Sequence, residues 1–162
     1  VIEICFSIGS NIGNRPAYLH QALNLMGARI GIIEASSAFY ESASWGFDSE
    51  PFLNAVVVIN TTLSPIQCFI MLEGIETEMG RVRSKTGYAD RVIDIDILSY
   101  GQRCFSTKQL SIPHPRLSER RFVLLPWAEV RPFMIVPGYN KRVKELLEQC
   151  KDKGACKKWG DV

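Results

Sequence analysis

The sequence is poor in several features that would declare a function outright. It contains only two histidines, and its five cysteines, Cys5, Cys68, Cys104, Cys150 and Cys156, are odd in number and scattered. No paired spacing is present to build a zinc site or a disulfide framework, so the thiols are read as reduced and mostly packing residues, with only Cys150 and Cys156, in a polar tail, placed to react with each other or with a metal. No apolar run approaches the length needed to cross a bilayer, and the opening VIEICFSIGSN has neither a basic segment nor a small-residue cleavage site. A cytoplasmic protein without a membrane partner is expected. An excess of one charge is missing too. The net charge is +2, whereas a general nucleic-acid binder carries a stronger basic surplus, so no nucleic-acid partner is expected. There is no repeat, low-complexity stretch or interdomain linker. What remains is a chain of 162 residues, 46% hydrophobic and 22% charged, which suits one domain over residues 1–162. Its lysine-rich end, from about residue 139, reads as a polar helical tail with a solvated surface.

Periodicity outlines the elements. Ile2 to Ile8 alternates as a strand and meets a turn at Gly9-Ser10-Asn11. The glycine-containing turn from Gly9 to Gly13 lacks the lysine and hydroxyl of a Walker A loop, and is read as packing near a ligand pocket. Asn14 caps a helix whose apolar residues Tyr18, Leu19, Ala22, Leu23 and Met26 recur until Gly27, which is expected to end it. Ile30 to Tyr40 and Phe52 to Thr62 read as strands, and Ser64-Pro65-Ile66-Gln67 as a capping box opening a helix that Gly80 stops. Val92 to Tyr100 is a further strand. This order is the βαββαβ pattern of an α+β, ferredoxin-like sandwich with helices on one sheet face. C-terminal additions follow: a hairpin over Gln102 to Ile112, short helical turns from Ser118 to Val130 broken at Pro126, and a helix over Arg142 to Cys150.

The chemistry concentrates between Arg81 and Leu98. Side chains alternate along a strand, so Ile93, Ile95 and Ile97 share one side while Asp94 and Asp96 share the other, roughly 7 Å apart. Aspartate is rare in strands, and two ionised carboxylates held together repel unless a cation intervenes. Magnesium suits such a pair, because it takes one or two carboxylates and completes its shell with water and phosphate oxygens. A solvated polar edge would also tolerate two aspartates. The basic loop beside them, with Arg81, Arg83, Lys85 and Arg91, favours a metal-bound polyphosphate instead.

Other segments fit the same ligand. Glu73 and Glu76 lie three apart on one helix face and complement either the loop arginines or a ligand. Ile112-Pro113-His114-Pro115-Arg116, followed by Arg120, Arg121 and Phe122, is a second phosphate-friendly segment, with His114 as a phosphate contact and His20 structural. The run Ser42-Ala43-Ser44-Trp45-Gly46-Phe47, with Phe52 and Asn54, offers aromatic and amide groups to a flat heterocycle.

In order, FSIGSN, the Ser42 to Asn54 loop, GRVR with DRVIDIDIL, and IPHPRLSERRF resemble the 6-hydroxymethyl-7,8-dihydropterin pyrophosphokinases over about Ile2 to Pro137. The resemblance implies transfer of diphosphate from ATP to a reduced pterin in folate biosynthesis, by a monomer that needs two Mg2+ ions. It implies that Asp94 and Asp96 hold the metals and that Arg81 and Arg91 act in catalysis. Glu73, Glu76, Arg83, Lys85, Ile97, His114 and Arg120 would serve the nucleotide. Ser42, Ala43, Trp45, Phe52, Asn54 and Phe122 would hold the pterin, with the two phenylalanines as a sandwich. Glu73, Tyr88 and Ala43-Ser44 depart from the family pattern. A ferredoxin-like RNA-binding module leaves the paired acids unexplained, and a two-metal phosphohydrolase needs no heterocycle pocket.

Overall fold

The computed structural model describes residues 1–43, 50–81 and 91–160. Its central strand, β1 (Ile2–Ser10), is buried from Ile4 to Ser10. It pairs antiparallel with β4 (Phe52–Thr61) on one side and β5 (Asp94–Tyr100) on the other. The strand outruns the expected turn at Gly9 because Gly9 is itself a ladder residue, opposite Asn54 in β4 and Asp94 in β5. A Cβ there would sit 2.8 Å from Asn54 Oδ1, so only glycine allows this approach.

Helix α1 (Arg15–Arg29) starts where Asn14 Oδ1 accepts the Ala17 N–H at 3.3 Å. It continues through Gly27, contrary to the sequence expectation. Gly27 provides room instead of a stop: a Cβ would meet Ile33 Cδ1 at 3.3 Å. The strand expected over residues 30–40 is split into β2 (Gly31–Ser36) and β3 (Tyr40–Ser42), both paired with β4. Ser37 makes the break. Its backbone N–H donates to Val56 O and its hydroxyl accepts the Val56 N–H, both at 2.9 Å, so one side chain replaces a ladder carbonyl. Helix α2 (Pro65–Glu78) carries the capping box read from Ser64 and Gln67.

Beyond β5 come β6 (Phe105–Ser106), β7 (Ser111–Ile112), a 3-10 turn at Leu117–Glu119, and α3 (Arg121–Val130). Then follow β8 (Ile135–Val136), β9 (Lys141–Arg142), α4 (Val143–Gln149) and β10 (Cys156–Lys158). Pro126 lies inside α3 without breaking it. A proline here removes one helical N–H, but burial of Val123, Leu124 and Trp127 against the sheet outweighs that loss.

The main sheet runs β10-β3-β4-β1-β5, with β2 also along β4. Both of its faces are covered, which corrects the expectation of helices on one side. Ile4, Phe6, Ile8, Val57 and Ile59 pack with Leu19 and Met26 of α1 and with Leu72 and Ile75 of α2. The alternate residues Cys5, Val56 and Val58 pack with Trp127 of α3 and with Val143 and Leu146 of α4. In the lysine-rich tail the lysines are exposed, while Val143, Leu146 and Cys150 are core and β10 extends the main sheet. No helix among the described residues is long and apolar enough to cross a membrane.

Candidate active site

The charged part of the site is assembled by two local devices. The first ends α2. Gly80, at φ +91°, turns the chain while its N–H donates to Thr77 O and the Arg81 N–H donates to Glu76 O, both at 3.0 Å. These are the paired bonds of a Schellman ending, and they fold Arg81 back along the helix. Its guanidinium contacts the Glu76 carboxylate, which is buried, and reaches Asp94 Oδ1 at 3.0 Å. The second device is the strand alternation in β5. Ile95 and Ile97 enter the core, and Asp94 and Asp96 project between them. Arg91 Nη1 donates to Asp94 Oδ2 at 3.0 Å, so two arginines hold Asp94 from its two oxygens.

A register shift opposite Cys5 and Phe6 then changes the pattern: Ser99 faces Cys5, whereas Ile97 faces Phe6, leaving Leu98 as the extra residue. Leu98 faces the second core, as alternation from Ile97 requires, and the bulge returns Tyr100 to the first. It also supplies Leu98 O as acceptor for the His114 N–H at 3.2 Å, which brings the Pro113-His114-Pro115 segment beside the aspartates.

Electrostatics distinguish the groups. Asp96 is pushed up to about 7, first by loss of solvent and then by the neighbouring Asp94, with Arg120, Arg81 and Arg91 opposing. Two carboxylates thus share a site whose arginines only partly compensate them. His114 is pulled down to about 4 by burial and by Arg120, so it is neutral near pH 7. Its Nδ1 accepts the Arg116 N–H at 3.2 Å, leaving the proton on Nε2 as a donor.

These residues line adjoining cavities. One, of about 230 Å3, is walled by Glu76, Arg81, Arg91, Asp94, Asp96, His114 and Arg120, with Phe69 and Ile95. The next, of about 240 Å3, shares Glu76, Asp96 and His114 and adds Glu73 and Ile97, with the Lys108-Gln109-Leu110-Ser111 stretch opposite. A third cavity, of about 110 Å3, lies at Ser42, Ala43, Arg121 and Phe122. Asn54 is buried below this region and donates from Nδ2 to Ser42 Oγ at 2.8 Å. Phe52 stands opposite Ser42 in the ladder. Arg120 joins the two regions, its Cζ 5.7 Å from the Phe122 ring centroid. Trp45, Arg83, Lys85 and Tyr88 lie outside the described residues.

Several contributors escaped the sequence reading. Phe69 reads in the sequence only as an apolar residue of the helix that the Ser64 capping box opens, and residues 108–111 only as part of a hairpin. Asn11 is the more consequential omission. It is buried, its Oδ1 accepts the Arg91 N–H at 2.6 Å, and its Nδ2 donates to Glu50 O at 3.4 Å. One side chain therefore ties the stems of both loops that flank the site.

Among the described residues, no three His, Cys, Asp or Glu side chains converge into a metal cage. Hard oxygen donors in a pair, next to guanidinium groups suited to phosphate, are nonetheless the set that magnesium accepts when phosphate and water supply the remaining ligands.

Residues 5–132 match the family described as 7,8-dihydro-6-hydroxymethylpterin-pyrophosphokinase (HPPK). The chain belongs to this family. It is 39% identical over 135 residues to the 2-amino-4-hydroxy-6-hydroxymethyldihydropteridine pyrophosphokinase of Porphyromonas gingivalis, covering 81% of this chain and 92% of that one. With the protein of the same description from Methylorubrum extorquens it shares 40% identity over 149 residues, covering 91% and 92%. A Pneumocystis carinii folic acid synthesis protein is 35% identical over 150 residues, which are 92% of this chain and 20% of that longer one. The wild-type Plasmodium falciparum HPPK-DHPS crystal structure with SDX-DHP superposes with a TM-score of 0.76 at 17% identity, a likeness of fold. The match covers 92% of this chain and 43% of the solved one.

Proposed function

We propose that this chain transfers the β,γ-diphosphate of ATP to the hydroxymethyl group of 6-hydroxymethyl-7,8-dihydropterin, releasing AMP and the pterin diphosphate in folate biosynthesis. The observation that carries the reading is a carboxylate pair inside an arginine-lined cavity, joined through Arg120 to a cavity at Ser42, Ala43 and Phe122 whose Ser42 is bonded by the buried Asn54 amide, in a chain of the HPPK family. The proposal extends to one pyrophosphokinase domain over residues 1–162, acting as a cytoplasmic monomer. It includes a ferredoxin-like βαββαβ core, a description supported by the central position of β1 and by β2 and β3 sharing one edge of β4.

In this reading Asp94 and Asp96 would hold two Mg2+ ions, which when bound would supply charge neutralisation on the phosphate oxygens and a lowered pKa for the incoming hydroxyl. Arg81 and Arg91, which pair with Asp94 in the free protein, offer their guanidinium groups to the polyphosphate, together with Arg120, Arg83 and Lys85. His114 donates from Nε2 to a phosphate oxygen near the nucleotide end, and Glu73, Glu76 and Ile97 border the nucleotide. Phe52 and Phe122 stack on the pterin while Asn54, Ser42, Ala43 and Trp45 read its polar edge. The pterin oxygen bonds to the β-phosphorus as the bond from that phosphorus to the AMP oxygen breaks. No nucleophilic side chain is required, because positioning and charge neutralisation carry such a transfer.

The decisive experiment measures AMP release with ATP, Mg2+ and the reduced pterin, omitting each in turn. Strict dependence on all three is expected. Equal AMP release without pterin would indicate a phosphohydrolase and end the proposal.

A further inference from the structure

The third cavity has a wall that the family match does not include. That match ends at residue 132, yet Asp152, Gly154, Ala155 and Cys156 line the cavity opposite Ser42, Ala43 and Phe122. Two separate attachments hold this wall in place. Strand β10 runs antiparallel to β3, with Cys156 opposite Ser42, Lys157 opposite Glu41 and Lys158 opposite Tyr40, and the Trp159 N–H donates to Phe39 O at 2.8 Å. The second attachment is a single carboxylate. Asp152 Oδ1 accepts the Gly154 N–H at 2.9 Å, which closes a tight turn, and Oδ2 accepts the Arg121 N–H at 3.3 Å.

Arg121 is the first residue of α3, and the residue before it provides no side-chain cap. The first N–H groups of a helix need acceptors from outside, and a carboxylate there also meets the positive end of the helix dipole. Asp152 therefore caps α3 from 31 residues away. The helix end it holds is the one carrying Phe122. The same segment fixes β3 from its outer edge, and with it Ser42, which accepts from Asn54.

We propose that residues 152–158 are a clamp that pre-positions the pterin pocket, with Asp152 as the positioning residue that sets Phe122 through the start of α3. The clamp rests on the assignment of this cavity to the pterin, and predicts an effect on the pterin that spares ATP. A preset ring loses less freedom on binding than one that must be ordered by its ligand.

The test compares steady-state AMP formation by the full chain and by Asp152→Ala and Asp152→Asn. For Asp152→Ala, the KM for pterin should rise about tenfold, with kcat and the KM for ATP within about twofold of the parent. Asp152→Asn keeps an acceptor oxygen and should recover most of the loss. An unchanged pterin KM, or equal rises for ATP and pterin, overturns the clamp. Should Asp152→Ala fail to fold, hydrogen exchange on the unmodified chain decides: the Arg121 and Gly154 amides, which donate to Asp152, must already be protected before reduced pterin is added with a non-hydrolysable ATP analogue. Amides that exchange freely there and slow only when pterin is added refute the inference. Absence of pterin-dependent AMP release by the unmodified chain would instead refute the catalytic assignment itself.

Discussion

The charged cavity and the cavity at Ser42 and Phe122 are neighbours built in opposite ways. The first draws its defining groups from a short stretch of chain: a Schellman ending delivers Arg81, and strand alternation delivers Asp94 and Asp96. The second needs the end of β3, an inner residue of β4, the start of α3 and the tail, none of them adjacent in sequence. Local devices place Arg81 and the two aspartates, while Asn11 fixes the Arg91 stem and His114 and Arg120 join them from beyond β5. An aromatic and amide pocket depends on how distant elements settle against both sheet faces. The charged region should therefore fail by chemistry when altered, and the aromatic region by loss of fit.

The largest contrast is expected at Asp96. Asp96→Asn should lower pterin-dependent AMP formation by at least roughly 100-fold, since a preorganised charge facing the transferring group is removed. The same change relieves repulsion with Asp94, so the metal-free protein should become more stable near pH 8. Paired rate and urea-unfolding measurements check both signs. A variant that loses activity and stability together would make Asp96 a structural residue and dissolve the distinction between the two regions.

The same difference governs what the sequence could reveal. Asp94, Asp96, Arg81 and Arg91 were legible because period-two alternation and a helix-stopping glycine act over a few residues. Asn11 was not, because its partners Glu50 and Arg91 lie 39 and 80 residues away. Ser37 looked like one more residue of a strand, and only the Val56 backbone shows why it interrupts one. Pro126 misled for the converse reason: its local cost is real, but burial around Trp127 exceeds it. The second helical layer followed from no single periodicity, because Cys5, Val56 and Val58 read equally as the outward side of a one-faced sheet.

Asn11 offers a way to couple the two regions. Asn11→Ala removes the acceptor for Arg91 and the donor to Glu50, and should reduce kcat/KM for both substrates by roughly 10- to 100-fold. An effect confined to one substrate would show that the two loop stems are held independently. Phe122→Ala is the smaller, one-sided counterpart. Loss of its ring should raise the pterin KM about tenfold and leave that of ATP nearly unchanged, as steady-state titration of each substrate will report.

The finest prediction lies within the charged region, where two neighbours titrate against each other. Asp96 is raised from 3.8 to about 7, so between those values the folded protein keeps a proton that the unfolded chain has lost. Stability from this group is present at low pH and is lost as pH rises. His114 is lowered from 6.5 to about 4, so over that interval the unfolded chain binds the extra proton. Its contribution is present above 6.5 and is lost as pH falls. From about pH 4 to 6.5 the two slopes oppose each other, each amounting to at most about 1.4 kcal/mol per pH unit. Relative to the parent, metal-free Asp96→Asn should gain stability as pH rises through this window, and His114→Gln should lose it. Urea midpoints at half-unit pH steps measure both. Difference slopes of the same sign would mean that the carboxylate and the imidazole do not share the surroundings described for them.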